Sequence, residues 1–259
     1  MITSTSNGRI KNLIQLQKKS KLRREQDVFL AEGLKMYQEA PRDRVLQTYV
    51  SETFYKRHRE LRGEDVQVVA DHVFEAVSDT KTPQGILCVV RQHHYTLEQV
   101  LAGRSPLLLV LENLQDPGNL GTILRTGEGA GVTGVIMSQE TADLYNPKTI
   151  RSTMGSIYRM PFCYVPALEP VMSRLRQLGI TSYAAHLRGK ASYTAQDYRP
   201  GTAFLIGNEG KGLTEELAAQ ADALVRIPMC GQVESLNAAI ASAVLMYEAL
   251  RQRQEAPER

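Results

Sequence analysis

Short apolar runs alternate with helix-like patterns along most of this chain. A continuous apolar run, LLLVLEN at residues 107–113, is typical of a buried parallel strand. Other apolar runs predict strands at residues 28–31, 45–50, 66–70, 85–90, 134–137, 162–166, 181–187, 203–207 and 224–228. The segments between them carry helical spacing of apolar residues. Strands that alternate with helices predict an α/β fold with parallel or mixed sheets covered on both faces.

One polar stretch divides the chain into two parts. Residues 91–106 contain Gly103 and Pro106 and lack a strand pattern, so they indicate a domain junction with a short helix at residues 97–101. The sequence therefore predicts an N-terminal domain at residues 1–95, a linker at 96–105 and a C-terminal domain at 106–259.

Bulk composition excludes several classes of protein. With 42% hydrophobic and 23% charged residues, the 259-residue chain has ordinary globular composition. It has neither a membrane-length apolar run nor the apolar core of a signal peptide, which predicts a cytoplasmic protein with no membrane partner. Three separated cysteines suit a reducing compartment. The five histidines show no ligand spacing, so we expect no metal.

Positive charge is concentrated near the N-terminus, although the net charge is only +3. Seven cations lie between Arg9 and Arg24, and no acidic residue precedes Glu25. Such a run is either a solvated helix face or a contact surface for a polyanion, and both readings stay open. The predicted RNA-contact residues are Arg9, Lys11, Lys18, Lys19, Arg23 and Arg24.

Two glycine-rich segments imitate nucleotide-binding motifs. GAGVTG at residues 129–134 has the letters of a dinucleotide fingerprint, but it follows a helix and leads into a strand, which reverses the required context. GNEGKG at residues 207–212 lacks the spacing and the hydroxyl residue of a phosphate-binding loop. These departures argue against NAD binding and ATP hydrolysis.

Three segments, at residues 107–131, 205–213 and 227–250, each pass from a strand through a polar loop into a helix. Open α/β folds bind ligands at such loops. One arginine with several amides and hydroxyls suits positioning and charge stabilisation better than hydrolysis. Each residue also has a plain structural reading: Arg125 as a salt bridge to Glu128, Ser235 as a helix cap, and Glu209 as a solvated charge.

The three segments together resemble the motifs of the SpoU, or TrmH-like, RNA ribose methyltransferases. The first motif is N-x5-N-x-G-x3-R from Asn113 to Arg125, the second is LIGNEGKGL, and the third is IPM-x5-SLN-x2-IA from Ile227 to Ala241. Near the N-terminus, FLAEG at residues 29–33 and TPQGI at residues 82–86 are similar to the small substrate-binding domain that often precedes this family's catalytic domain.

The resemblance implies a fold and a set of site residues. It implies an α/β protein with a small, ribosomal-protein-like RNA-binding domain ahead of a trefoil-knotted α/β methyltransferase domain that forms a homodimer. The implied catalytic residues are Arg125, Asn119, Glu209, Ser235 and Asn237. The implied contacts to the cofactor, S-adenosylmethionine, are Leu205, Ile206, Gly207, Ile227, Met229, Ser235, Leu236 and Ala239.

The implied reaction transfers a methyl group from the sulfonium to a ribose 2′-hydroxyl of structured RNA. The N-terminal domain favours large-subunit rRNA over tRNA, and a non-catalytic ribosome-assembly protein is the alternative from another class. A guanidinium is a poor base because it stays protonated. We therefore interpret Arg125 as a ligand of the target phosphate or of the developing alkoxide. The proton acceptor stays open.

Overall fold

The computed structural model describes residues 1–61 and 65–255, which fall into two compact units. The N-terminal unit comprises Met1–His93 with Asp143–Tyr158, and the C-terminal unit comprises His94–Ala142 with Arg159–Arg259. Residues 256–259 of the predicted C-terminal domain lie outside the described residues. No helix in the described part of the chain has both the length and the apolar character needed to cross a bilayer.

The elements follow the alternation predicted from the sequence. The helices are α1 Gly8–Lys18, α2 Ser20–Gln26, α3 Leu34–Glu39, α4 Glu52–Arg57, α5 Asp71–Val77, α6 Leu97–Leu101, α7 Pro117–Gly129, α8 Pro147–Thr153, α9 Glu169–Gln177, α10 Glu215–Ala218 and α11 Ala238–Gln254. The strands are β1 Val28–Glu32, β2 Val45–Ser51, β3 Val66–Val69, β4 Ile86–Arg91, β5 Leu107–Leu111, β6 Gly134–Ser138, β7 Phe162–Val165, β8 Thr181–Ala185, β9 Ala191–Ser192, β10 Thr202–Ile206 and β11 Ala223–Arg226. Short 3-10 turns lie at Arg59–Leu61, Ser156–Tyr158 and Tyr193–Ala195.

The N-terminal unit is built on a mixed four-stranded sheet in the order β1-β4-β2-β3. β4 runs antiparallel to β1 and β2, whereas β3 pairs with β2 in parallel. Apolar residues of α1 and α5 pack into one core with residues of β1 and β4. The helical spacing of Ile10, Leu13 and Leu16 forms this buried face, as the sequence pattern predicts.

A segment from the second half of the chain completes the N-terminal unit. Tyr145 stacks on Phe29 with ring centroids 4.9 Å apart, and its hydroxyl donates to the His93 carbonyl at 2.9 Å. The Tyr158 hydroxyl donates to the Met36 carbonyl at 3.1 Å. The predicted boundaries at residues 95 and 106 treat each domain as one stretch of chain, so they leave out this return of residues 143–158.

The predicted RNA contact at Arg23 is wrong, because this side chain is buried. The Arg23 guanidinium donates to the Leu16 carbonyl at 2.6 Å and pairs with the Asp143 carboxylate at 2.6 Å. A buried cation needs such partners because desolvation is costly. The extended backbone of Lys19 interrupts the helical path between α1 and α2, and Arg23 on α2 points inward. Arg23 is therefore structural, and it leaves the predicted RNA-binding set.

The C-terminal unit contains a seven-stranded parallel sheet in the order β7-β6-β5-β10-β8-β11-β9. The predicted strand at residue 107 is β5, which is buried along its whole length. β10 lies beside β5 with Ile206 opposite Leu111, so both strands end at the same edge. This register brings the loops of the first two sequence motifs together.

Asp116 and Asn237 cap α7 and α11, and the second of these caps differs from the Ser235 cap considered from the sequence. Asp116, and not Asn119, caps α7, because its side chain accepts the Asn119 backbone N–H at 2.8 Å and Pro117 occupies the first turn. Asn237, and not Ser235, caps α11 by accepting from Ala239 at 2.9 Å and Ile240 at 3.3 Å. The caps leave the Asn119 and Ser235 side chains available for other contacts.

Candidate active site

The Glu209 carboxylate joins the first and second motif loops. It accepts the backbone N–H groups of Gln115 at 2.9 Å and Asp116 at 2.8 Å, and the side-chain amide of Asn119 at 3.0 Å. Gln115 and Asp116 immediately precede α7, and Asn119 lies in its first turn, so the carboxylate ties the second motif loop to the entry of this helix. Glu209 is therefore an organising residue of the loop.

The electrostatics of Glu209 favour its ionised form. Partial burial raises the pKa of the carboxyl, but hydrogen bonds from Gln115, Asp116 and Asn119 outweigh it, so the pKa lies below its ordinary value. A carboxylate whose oxygens accept three hydrogen bonds and whose pKa is depressed is a weak base. Its role is to hold the neighbouring groups in place.

Asn119 links this carboxylate to the third motif. Its Oδ1 accepts the side-chain amide of Asn237 at 3.0 Å, while its Nδ2 donates to Glu209. Asn237 at the same time caps α11. One chain of hydrogen bonds thus runs from α11 through Asn237 and Asn119 to Glu209, and it connects all three predicted motifs.

Asn208 shapes the second motif loop. Its Oδ1 accepts the backbone N–H groups of Gly210 at 2.9 Å and Lys211 at 3.0 Å, and its Nδ2 donates to the Asn113 carbonyl at 2.8 Å. A Cβ atom at Gly207 would lie 2.1 Å from the Gly212 carbonyl carbon. Only glycine fits this close approach, so the glycines of GNEGKG shape a hairpin-like turn.

Arg125 and Ser235 lie apart from this hydrogen-bonded set. Arg125 is exposed on α7, six residues beyond Asn119, which is about 9 Å of helix rise. Neither side chain makes a hydrogen bond or ion pair with the described residues. The salt bridge considered from the sequence is absent there, because Glu128 pairs with Arg159. Arg125 therefore has its guanidinium available for an external anion.

A cavity of about 310 Å³ lies at the carboxyl edge of the sheet, within the C-terminal unit. Six of the eight predicted cofactor residues line it: Ile206, Gly207, Ile227, Met229, Ser235 and Leu236. The other two do not line it, since the Leu205 side chain belongs to the core and Ala239 is buried in α11. Its size is within the range of small-molecule sites.

One wall of the cavity is formed by residues that were not among the predicted site residues. Ala185 ends β8, His186 and Leu187 follow it, and all three line the cavity although none belongs to a sequence motif. The available signal was topological, because β8 is a neighbour of β10 in the parallel sheet and ends at the same edge. The order of the strands was needed to use that signal.

The lining of the cavity suits a ligand that has both an apolar ring and polar groups. Ile206, Ile227, Met229 and Leu236 supply apolar surface. Backbone groups of residues 229–236 make no hydrogen bonds to the backbone of the described residues, so their N–H and C=O groups are available. These donors, acceptors and apolar walls fit S-adenosylmethionine. No cluster of metal-ligating side chains occurs among residues 1–61 and 65–255.

A parallel sheet with a cavity at its carboxyl edge, and with positioning amides in place of a nucleophile, is typical of an α/β group-transfer enzyme. The chain belongs to the SpoU rRNA methylase family, whose profile matches residues 106–247. Residues 7–88 match the MRM3-like substrate binding domain. These matches confirm the resemblance inferred from the motifs.

Individual relatives cover nearly the whole chain. The 23S rRNA (guanosine(2553)-2′-O)-methyltransferase RlmP of Bacillus subtilis is 33% identical over 95% of this chain and 97% of its own length. The AdoMet-bound rRNA methyltransferase of Sinorhizobium meliloti has 33% identity and a TM-score of 0.86, with 96% and 97% coverage. The SpoU methyltransferase AviRb of Streptomyces viridochromogenes, in complex with AdoMet, has 28% identity, a TM-score of 0.86, and 96% and 99% coverage.

Proposed function

We propose that this protein transfers the methyl group of S-adenosylmethionine to a ribose 2′-hydroxyl of large-subunit rRNA. The observation that carries the proposal is the hydrogen-bonded set of Glu209, Asn119 and Asn237, which joins three motif loops beside a backbone-lined cavity. Membership of the SpoU family and a 23S rRNA 2′-O-methyltransferase as a full-length relative support the reaction and the substrate class.

The chain contributes orientation and charge stabilisation. When bound, S-adenosylmethionine supplies a methyl group attached to a positively charged sulfur. The neutral thioether that remains after methyl transfer is a good leaving group. The cavity walls fix the ligand, and alignment of reacting groups alone contributes several kcal/mol to catalysis. Glu209, Asn119 and Asn237 hold the three loops in one arrangement. Ser235 lines the cavity and orients the ribose by hydrogen bonding.

Arg125 binds the target phosphate or the developing alkoxide. It is exposed and has no partner among the described residues, so its five donors are available to an anion. A guanidinium is a poor proton acceptor because its positive charge is delocalised and it stays protonated, which argues against a role as the base. The arginine therefore acts by electrostatic stabilisation.

The N-terminal unit supplies RNA affinity as a small, ribosomal-protein-like domain. Arg9, Lys11, Lys18, Lys19 and Arg24 are all exposed. Exposed cations that contact phosphates release counterions, so affinity falls as salt rises. Replacing Lys18, Lys19 and Arg24 with Ala flattens the salt dependence of RNA binding under this proposal.

The active form is a cytoplasmic homodimer that pairs through the C-terminal unit, whose backbone forms a trefoil knot. Ile240 and Tyr247 on α11 are each about half exposed, and Val244 and Leu250 lie on the same apolar face. Exposed apolar patches of this kind mark protein interfaces. An Ile240→Glu/Tyr247→Glu variant sediments as a monomer under this proposal, and a dimeric variant would contradict the assigned face.

The reaction is tested with methyl-labelled S-adenosylmethionine and, separately, unmodified large-subunit rRNA, small-subunit rRNA and tRNA. After digestion, the label is expected on a 2′-O-methylated nucleoside from large-subunit rRNA. Label on tRNA alone would overturn the substrate class. Absence of both label and cofactor binding would favour a non-catalytic RNA-binding protein.

A further inference from the structure

A loop at residues 78–84 of the N-terminal unit is held in place by a buried carboxylate. Glu32, at the end of β1, accepts the Ser78 hydroxyl at 2.8 Å, the Thr80 hydroxyl at 3.2 Å and the Gln84 backbone N–H at 3.3 Å. Glu32 is only 8% exposed. Burying an ionised carboxylate is costly unless it is fully hydrogen-bonded, so this arrangement commits the carboxylate to one loop conformation.

A second tie and two glycines fix the same loop. Asp79 pairs with Arg151 at 2.9 Å, and both residues belong to the N-terminal unit. Gly33 has φ +113°, and a Cβ there would lie 2.7 Å from the Gln84 side chain. Gly85 has φ +83°, and a Cβ there would lie 2.7 Å from Phe54. The loop is thus closed tightly against its neighbours at its C-terminal end.

Three residues of the loop are exposed: Lys81, Thr82 and Gln84, the last with its side chain beside Gly33. Lys81 has no ion-pair partner among the described residues. The loop begins beside the basic end of α1, because the Gln17 side chain donates to the Val77 carbonyl at 3.1 Å. Lys18 and Lys19, which follow Gln17, are exposed and unpaired in the described chain.

We propose that the 78–84 loop is an RNA-contact loop that Glu32 holds in place before binding. Lys81, Thr82 and Gln84 contact the sugar-phosphate backbone of the RNA. Lys ammonium groups, Thr and Gln side chains and backbone N–H groups are the usual donors to phosphate and sugar. A loop already fixed before binding loses little conformational entropy when it contacts RNA. This assignment extends the predicted basic surface beyond α1 and α2, and it rests on the proposed function.

The test measures binding of the full-length protein to unmodified large-subunit rRNA, separately from methyl transfer. Lys81→Ala is expected to weaken binding about threefold to tenfold and to reduce the salt slope by about one. Arg104→Ala removes one exposed, unpaired cation of the described C-terminal unit and is the matched control. It is expected to leave both quantities unchanged.

The role of Glu32 is tested with Glu32→Gln and, because that variant is expected to lose stability, also with the exposed Asp79→Asn. Both are expected to weaken RNA binding while S-adenosylmethionine binding stays unchanged. In wild-type protein, RNA is expected to protect residues 78–84 from hydrogen exchange. RNA affinity equal to wild type for Lys81→Ala, or no protection of the loop, would overturn the proposal. Failure of methyl transfer with intact RNA binding would instead contradict the proposed function.

Discussion

Glu32 and Glu209 perform comparable tasks in the two units, but in different surroundings. Each carboxylate accepts a backbone N–H from a segment distant in sequence and thereby fixes a loop. Glu32 is buried and uses two hydroxyl donors, whereas Glu209 lies on an exposed loop and uses an amide donor. The buried carboxylate secures a single loop, and the exposed one joins a network that a substrate can reach.

The two carboxylates differ in what their partners connect to. Around Glu32, all the named partners belong to the loop that it fixes. Around Glu209, Asn119 carries the contact onward to Asn237 and to the start of α11. We therefore expect changes near Glu209 to affect turnover, and changes at Glu32 to affect stability and RNA affinity.

The largest expected effect on methyl transfer concerns Arg125, the exposed cation on α7 in the same unit as Glu209. Arg125→Ala is expected to lower methyl transfer at least about 100-fold, because loss of a charge-stabilising group has costs of that order. Binding of S-adenosylmethionine, measured by calorimetry, is expected to change less than about twofold, since the cavity lining excludes Arg125. Equal losses of turnover and cofactor affinity would contradict the assignment.

Asn119 provides the next test, because it links Glu209 to Asn237. Asn119→Ala is expected to lower kcat about tenfold to 100-fold by uncoupling the motif loops. Thr122→Ala, one turn further along α7, is the control, because among the described residues its hydroxyl bonds only to the Gly118 carbonyl. A double-mutant cycle with Asn237→Ala should give a coupling energy of about 0.5–3 kcal/mol. Additive effects would mean that the network carries no coupling.

Glu32 tests the buried side of the comparison. Glu32→Ala is expected to lower the free energy of unfolding by about 1–3 kcal/mol, because it leaves the Ser78 and Thr80 hydroxyls and the Gln84 N–H without an acceptor. The exposed Glu75→Ala is expected to stay within about 0.5 kcal/mol of wild type. Urea denaturation measures the free energy of unfolding of both variants. Equal values for Glu32→Ala and Glu75→Ala would contradict the structural role of Glu32.

The smallest expected effect is the pH dependence contributed by Glu209. Its pKa is lower in the folded state, so its contribution to stability is complete above the unfolded value of about 4.3 and is lost as pH falls through the folded value. The difference in unfolding free energy between wild type and Glu209→Gln should thus be constant above about pH 5 and shrink below it. A difference that is constant down to pH 3 would show that Glu209 does not titrate in this way.

Local patterns in the sequence were sufficient for most elements and for the main members of the site. The apolar run at residue 107 and the helix at residues 97–101 match β5 and α6, because burial and capping leave local signals. Motif spacing identified Asn119, Glu209 and Asn237, which the structure joins by hydrogen bonds. The catalytic roles of these residues stay predictions.

Long-range pairing left no comparable signal. Nothing local in the sequence indicates that β10 lies between β5 and β8, so the contribution of residues 185–187 to the cavity required the sheet order. Arg23 stood in a basic run and was grouped with its neighbours, although its partner Asp143 is 120 residues away. Its burial depends on that distant carboxylate, which charge patterning cannot identify.

The return of residues 143–158 to the N-terminal unit has a consequence for the order of folding during synthesis. Domains generally fold from the N-terminus as the chain emerges. Here Phe29 and Arg23 obtain Tyr145 and Asp143 as partners only after more than half of the chain has been made. Until then an aromatic face and a buried cation lack their contacts, so the N-terminal unit cannot be completed when its first 93 residues emerge and must wait for residues 143–158.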